Sequence, residues 1–146
     1  MVDAFADDAL GHDDAVGLAG RLAAGEVSPE ELVEAAIGRI EKVDGELNAV
    51  AVRDFERARR TTGAQGFLHG IPTLMKDNVD VAGLPTQQGS DAYVGRPAEH
   101  DGELSRLLKS LGVVCLGKTQ MSEFGFSATA EHPRLGAVRN PWDTTR

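Results

Sequence analysis

Cysteine, basic residues and long apolar runs are what this sequence has least of. Cys115 is the only cysteine, so no intrachain disulfide and no cysteine-based zinc site can form. Its apolar neighbours make it a buried small hydrophobe rather than a nucleophile. Fifteen Lys and Arg stand against twenty-three Asp and Glu, a formal charge of -8. Such a balance repels phosphate backbones and anionic membrane surfaces, so neither nucleic acid nor membrane is expected as a direct partner. No stretch approaches the roughly 20 apolar residues of a membrane span. The acidic segment from Met1 to Asp14 has neither the basic flank nor the apolar core of a signal peptide, and a cytoplasmic location is the expectation. His12, His69, His100 and His132 show no metal-like pairing and read as solvated or loop residues. No metal and no other cofactor is expected.

What is present is ordinary globular composition, 41% hydrophobic and 26% charged over 146 residues, enough for the core of one domain. The first third is helical in pattern. One segment runs from about Asp14 to Ala24, and a better-marked one from Ser28 to Val43 begins with Ser28-Pro29-Glu30-Glu31, an N-cap, a first-turn proline and a capping-box Glu. Leu32, Val33, Ala36, Ile37, Ile40 and Val43 recur at helical spacing and form one apolar face. Asn48 to Val52 reads as a short strand and Asp54 to Arg60 as a helix with Glu56, Arg57, Arg59 and Arg60 on a solvated face. Glycine and proline punctuate Gly66 to Gly95, the part expected to carry chemistry. Asp101 can cap a helix running to about Leu111, with Leu104, Leu107, Leu108 and Leu111 on one face and Gly112 at its end. Val113 to Leu116 is a buried strand by its β-branched content, and Lys118 to Phe124 a loop-and-helix step. The alternation points to an α/β layer arrangement. Arg139 to Arg146 reads as a turn with Trp142 as its anchor.

Gly112-Val113-Val114-Cys115-Leu116-Gly117-Lys118-Thr119 matches the G-x-x-x-x-G-K-[ST] phosphate-loop pattern. That loop needs a strand before it and a turn-forming interior whose amides curl round phosphate. Here an amphipathic helix precedes, and Val-Val-Cys-Leu favours extended, buried backbone. The match is read as false, with Lys118 and Thr119 at a strand's end, orienting the next loop.

Leu68 to Val79 places Lys76 at the end of an apolar stretch, followed at once by Asp77 and Asn78. In a partly desolvated pocket the ammonium form is disfavoured, so such a lysine can serve as a neutral base. Asp77 and Asn78 could orient it, although a charged Asp77 too close to the amine would favour the ammonium instead. Spacing alone leaves a structural or exposed lysine open.

Several blocks stand in one order: Gly70-Ile71-Pro72 to Lys76-Asp77-Asn78, Gly83-Leu84-Pro85-Thr86, Gly89-Ser90, Gly117 to Phe124, and Gly136 with Arg139-Asn140-Pro141-Trp142. Together they resemble the N-terminal portion of the amidase signature family, over roughly Ser28 to Arg146. The resemblance implies an α/β fold, with helices packed on a mixed central sheet that is incomplete in this chain, so that residues 1–146 are the N-terminal part of a single domain. It also implies hydrolysis of small-molecule amides by a Ser–Ser–Lys triad with Lys76 as base, and a full-length parent that could be a homodimer. Gly125 and Ser127 correspond to part of the substrate pocket. The family's Gly-Gly-Ser-Ser-Gly-Gly segment is not found in the sequence, and Ser90, Ser105, Ser110, Ser122 and Ser127 sit in no glycine-flanked elbow. A chain supplying only the lysine is expected to be inactive alone, as a truncated product or disrupted reading frame. The alternatives are a component like the A subunit of a glutamyl-tRNA(Gln) amidotransferase, or a non-enzymatic remnant.

Overall fold

Local signals place the first two helices. In the computed structural model, which describes residues 1–92 and 94–146, helix α1 (Ala15–Ala24) starts where the Asp14 carboxylate accepts from the N–H groups of Val16 and Gly17, and it ends at a left-handed Gly25. Helix α2 (Pro29–Leu47) starts at the expected capping box of Ser28 and Glu31. It runs past Val43 because Asp44 is buried at its end. There the Asp44 carboxylate accepts from the N–H groups of Ala49 and Val50 and from Arg53 Nη2, turning the chain into β1. Asn48, expected in the strand, is instead the left-handed cap of α2.

Strand β1 (Val50–Arg53) leads into the short helix α3 (Phe55–Arg59), and β2 (Pro72–Lys76), α4 (Glu103–Ser110) and β3 (Val114–Thr119) follow. The strand order is β1-β3-β2, with β3 antiparallel to β1 and parallel to β2. This is the mixed sheet the family resemblance implies. The α2–α3 pair covers one face, where Val33, Ile37, Phe55 and Ala58 pack on Val114 and Leu116. On the other face Met75, Val81, Leu84 and Val113 pack together, with Leu108 and Cys115 against them. A third cluster of Leu18, Leu32 and Ile71 ties α1 and α2 to the entry of β2. Each such fully buried aliphatic side chain contributes roughly 1.5–3 kcal/mol. At Gly70, in left-handed conformation, a Cβ would fall 2.7 Å from Pro29 Cβ, so glycine alone lets the chain turn into β2 against the start of α2.

Several sequence expectations fail for tertiary reasons. Asp101 does not cap α4, whose N-cap is Gly102; its carboxylate is taken by Lys109 Nζ at 2.7 Å and by the Ala82 N–H. The buried side of α4 is marked by Ser105, while Leu104 and Leu107 are exposed. Arg57 is more than surface charge, because it donates to the Ala82 carbonyl at 2.7 Å. Residues 140–146 do form a turn, but Trp142 is 76% exposed and anchors nothing. His132 is buried, not solvated: it lies in a hairpin of β4 (Glu131–His132) and β5 (Gly136–Ala137), where Nδ1 accepts from the N–H groups of Arg134 and Leu135.

Candidate active site

Parallel pairing of β2 and β3, with Lys76 opposite Thr119, brings the carboxyl ends of both strands to one edge of the sheet. The segments that leave them, 77–90 and 120–127, therefore lie side by side. In α/β sheets this edge is where sites are built. Lys76 is the last residue of β2. It is exposed rather than held in a desolvated pocket, and its ammonium makes no hydrogen bond or ion pair with a described residue.

Asp77 does not orient the Lys76 amine. Its carboxylate is buried and lies 3.0 Å from Lys118 Nζ, and it also accepts from the N–H groups of Gln87 and Gly89. Lys118 is wholly buried. Its ammonium also donates to the Pro85 carbonyl at 2.8 Å and to Thr86 Oγ1 at 2.6 Å, so two hydrogen bonds and one ion pair surround it. A buried ion pair is stable only when its remaining hydrogen bonds are satisfied in this way. The pair fastens the loop after β2 to the end of β3.

Lys118 reaches that face through a bulge. Val114 and Leu116 pack toward α2 and α3, and strict alternation would send Lys118 the same way. Between Thr73 and Met75 on β2, β3 advances from Cys115 to Lys118, one residue more than regular pairing allows. The extra residue is Gly117, at φ 143°. A Cβ there would lie 2.1 Å from the Val52 carbonyl oxygen. The G-K-T run that imitates a phosphate loop is therefore a bulged, paired strand, and Lys118 holds the loop after β2 rather than the loop that follows its own strand.

The two loops are joined. Gln88 and Phe124 both adopt left-handed backbone, uncommon for side-chain-bearing residues, and the Phe124 N–H donates to the Gln88 carbonyl at 2.8 Å. Gly89 packs so closely on Met121 and Ser122 that a Cβ would lie 2.4 Å from the Met121 carbonyl oxygen. Ser90 Oγ donates to Glu123 Oε1. Gly125 lies in the short turn Glu123–Gly125, and Ser127 is exposed just beyond it, its N–H reaching Ser122 Oγ at 3.4 Å. Both pocket candidates are thus brought to the edge that carries Lys76, through Asp77, Gln88 and Phe124.

None of the serines engages Lys76. Ser105 is buried in α4 against the carbonyls of Asp80 and Gly102, and Ser110 bonds back to Leu107. No group of three potential ligands that could hold a metal occurs among the described residues. Sequence reasoning missed the Asp77–Lys118 pair. The signal was a lysine set inside an apolar strand, which the false phosphate-loop match obscured.

A mixed α/β sheet with an exposed lysine ending a strand at the carboxyl edge, in a chain carrying the ordered blocks from Gly70-Ile71-Pro72 through Lys76-Asp77-Asn78 to Trp142, is an amidase-type scaffold. The family model for Amidase matches residues 31–146, and the chain belongs to that family. It is 58% identical to AmiC of Mycobacterium leprae over 98% of this chain and 31% of that protein. To the A subunit of glutamyl-tRNA(Gln) amidotransferase from Salinispora arenicola it is 37% identical, over 90% of this chain and 29% of that protein. Among solved structures, 6-aminohexanoate cyclic dimer hydrolase superposes with a TM-score of 0.83 at 37% identity, over 92% of this chain and 29% of the hydrolase. The native peptide amidase from Stenotrophomonas maltophilia gives 0.78 at 31% identity, over 93% and 31%. The chain spans about a third of the length of these relatives.

Proposed function

We propose that this chain is the lysine-bearing first part of a single amidase signature domain that hydrolyses non-peptide carbon–nitrogen bonds of small-molecule amides. The observation that carries the reading is Lys76, exposed and with no partner among the described residues, at the carboxyl end of β2 in a chain of the Amidase family. In its neutral form the Lys76 amine takes a proton from a bridging serine hydroxyl, which takes that of the attacking serine as its oxygen bonds to the amide carbon. Return of the proton to the departing nitrogen breaks the C–N bond and leaves an acyl-serine. Water then attacks the acyl group, giving its proton through the bridging serine to Lys76, and return of that proton to the attacking serine's oxygen releases the carboxylate. Gly125 and Ser127, on the turn joined to the Lys76 loop, line the amide site. Both serines belong to the Gly-Gly-Ser-Ser-Gly-Gly part of the fold and its continuation, which this sequence does not include.

The 146 residues alone, incubated with aliphatic and aryl amides and a serine-directed covalent probe, are expected to give neither turnover nor labelling; either result would overturn the half-site reading. In a full-length enzyme carrying this segment, Lys76→Ala is expected to lower kcat by about 10²–10⁴-fold, the usual contribution of a positioned base. Retained activity would remove Lys76 from the mechanism. The 37% identity to an amidotransferase component favours a second reading, a protein of that kind that releases ammonia from an amide within an assembly. Ammonia release that depends on added partner proteins distinguishes the two.

A further inference from the structure

Asp77 follows Lys76 directly, with Cα atoms ~3.8 Å apart, so its carboxylate is the nearest counter-ion the Lys76 ammonium could find. A carboxylate beside an amine favours the protonated form and works against its use as a base. Two features of the fold keep them apart. Strand alternation directs Met75 toward the loop-covered face and Lys76 toward the other, and Asp77 returns to the Met75 side. There Lys118, wholly buried, holds Asp77 Oδ1 at 3.0 Å and is itself fixed by Pro85 and Thr86. Lys118 is on that side only because of the bulge at Gly117.

We propose that Lys118 is a positioning residue that sequesters the Asp77 carboxylate and so leaves the Lys76 amine without a counter-ion. Two carboxylates on neighbouring elements are engaged as well. Asp44, at the sheet end of α2, is bound by Arg53, and Glu123, after β3, accepts from Ser90 Oγ. The pair therefore has a polar function beyond fastening the loop: it consumes the one negative charge that chain connectivity forces next to the base.

The inference rests on reading Lys76 as the base, but its test reads the amine and not turnover. Acetylation by N-hydroxysuccinimidyl acetate at fixed, mildly alkaline pH, followed at each lysine by mass spectrometry, reports the unprotonated fraction. The exposed Lys42 serves as internal reference. Lys118→Met frees the Asp77 charge and is expected to slow Lys76 labelling about threefold. Asp77→Asn leaves the Lys118 charge unbalanced and is expected to speed it about threefold. The double variant, with neither charge, returns the rate close to that of the parent chain. Loosening of the loop alone would move both single variants in the same direction. Equal rates in all four proteins, or shifts of the same sign in both single variants, would overturn the proposal. Should Lys118→Met fail to fold, Lys118→Gln takes its place, and slower labelling at Lys76 with Lys42 unchanged is required. Failure of the base assignment itself would show separately, as activity retained in Lys76→Ala.

Discussion

Cys115 is the residue at which strand packing and chemistry part company. Its side chain is only half-buried, lining a hollow of about 290 Å³ together with Arg57 and Lys109, so the wholly buried setting inferred from its neighbours is not met. Burial nevertheless pushes its thiol above the ordinary cysteine range, and a thiol held protonated is a poor nucleophile. An aromatic disulfide reagent at neutral pH is expected to react with Cys115 at least about tenfold more slowly in the native chain than in the urea-unfolded one. Similar rates, read by absorbance of the released thiolate, would contradict the structural role. At the same scale Lys76 and Lys118 show that one residue type serves opposite ends: the first is exposed and unpaired among the described residues, the second buried with two hydrogen bonds and an ion pair.

Strand β3 is the element on which the candidate site depends. It is central in the three-stranded sheet, supplies Leu116 to one core and Lys118 to the loop face, and changes face at Gly117. Gly117→Ala places a methyl group 2.1 Å from the Val52 carbonyl oxygen in a backbone region that side chains rarely adopt. It should destabilise the chain by about 2 kcal/mol or more in urea unfolding. A change within about 0.5 kcal/mol would mean that the bulge is not required. Helix α2 gives a milder case: Ser28→Ala removes the hydroxyl that accepts from the Glu31 N–H and should cost about 1 kcal/mol.

At the scale of the molecule, the first residues are fastened to the helical layer by charge. Arg39 of α2 donates to both carboxylate oxygens of Asp8, at 2.8 and 2.7 Å, and to the Gly11 carbonyl. Those Arg39 bonds hold the Asp8 carboxyl below its ordinary value. A carboxyl depressed in the folded state contributes stability that is complete above the unfolded value near ~3.9 and is lost as pH falls through the lower folded value. Urea unfolding from about pH 6 to about pH 3 should therefore show a loss that Asp8→Asn reduces by about 1 kcal/mol. An unchanged pH dependence in that variant would mean that the contact does not stabilise the fold.

By itself the sequence determined the local and the ordered features. Asp14, Ser28, Pro29 and Glu31 start α1 and α2 because caps act within four residues, and the blocks from Gly70 to Trp142 identify the family because their order survives without coordinates. It also located Lys76 at the end of an apolar stretch that proved to be β2. Only the tertiary structure decided which charge Asp77 faces, that Leu104, Leu107 and Trp142 are exposed, and that residues 131–137 form a hairpin around a buried His132. Periodicity and capping are short-range, whereas the partner of Asp77 comes from another strand and reaches it only through parallel pairing and a single bulge. The position of Lys76 was legible because it ends a hydrophobic run within ordered family blocks; the pairing of Asp77 with Lys118 was not, because a buried lysine is recognisable only once its partners are assembled around it.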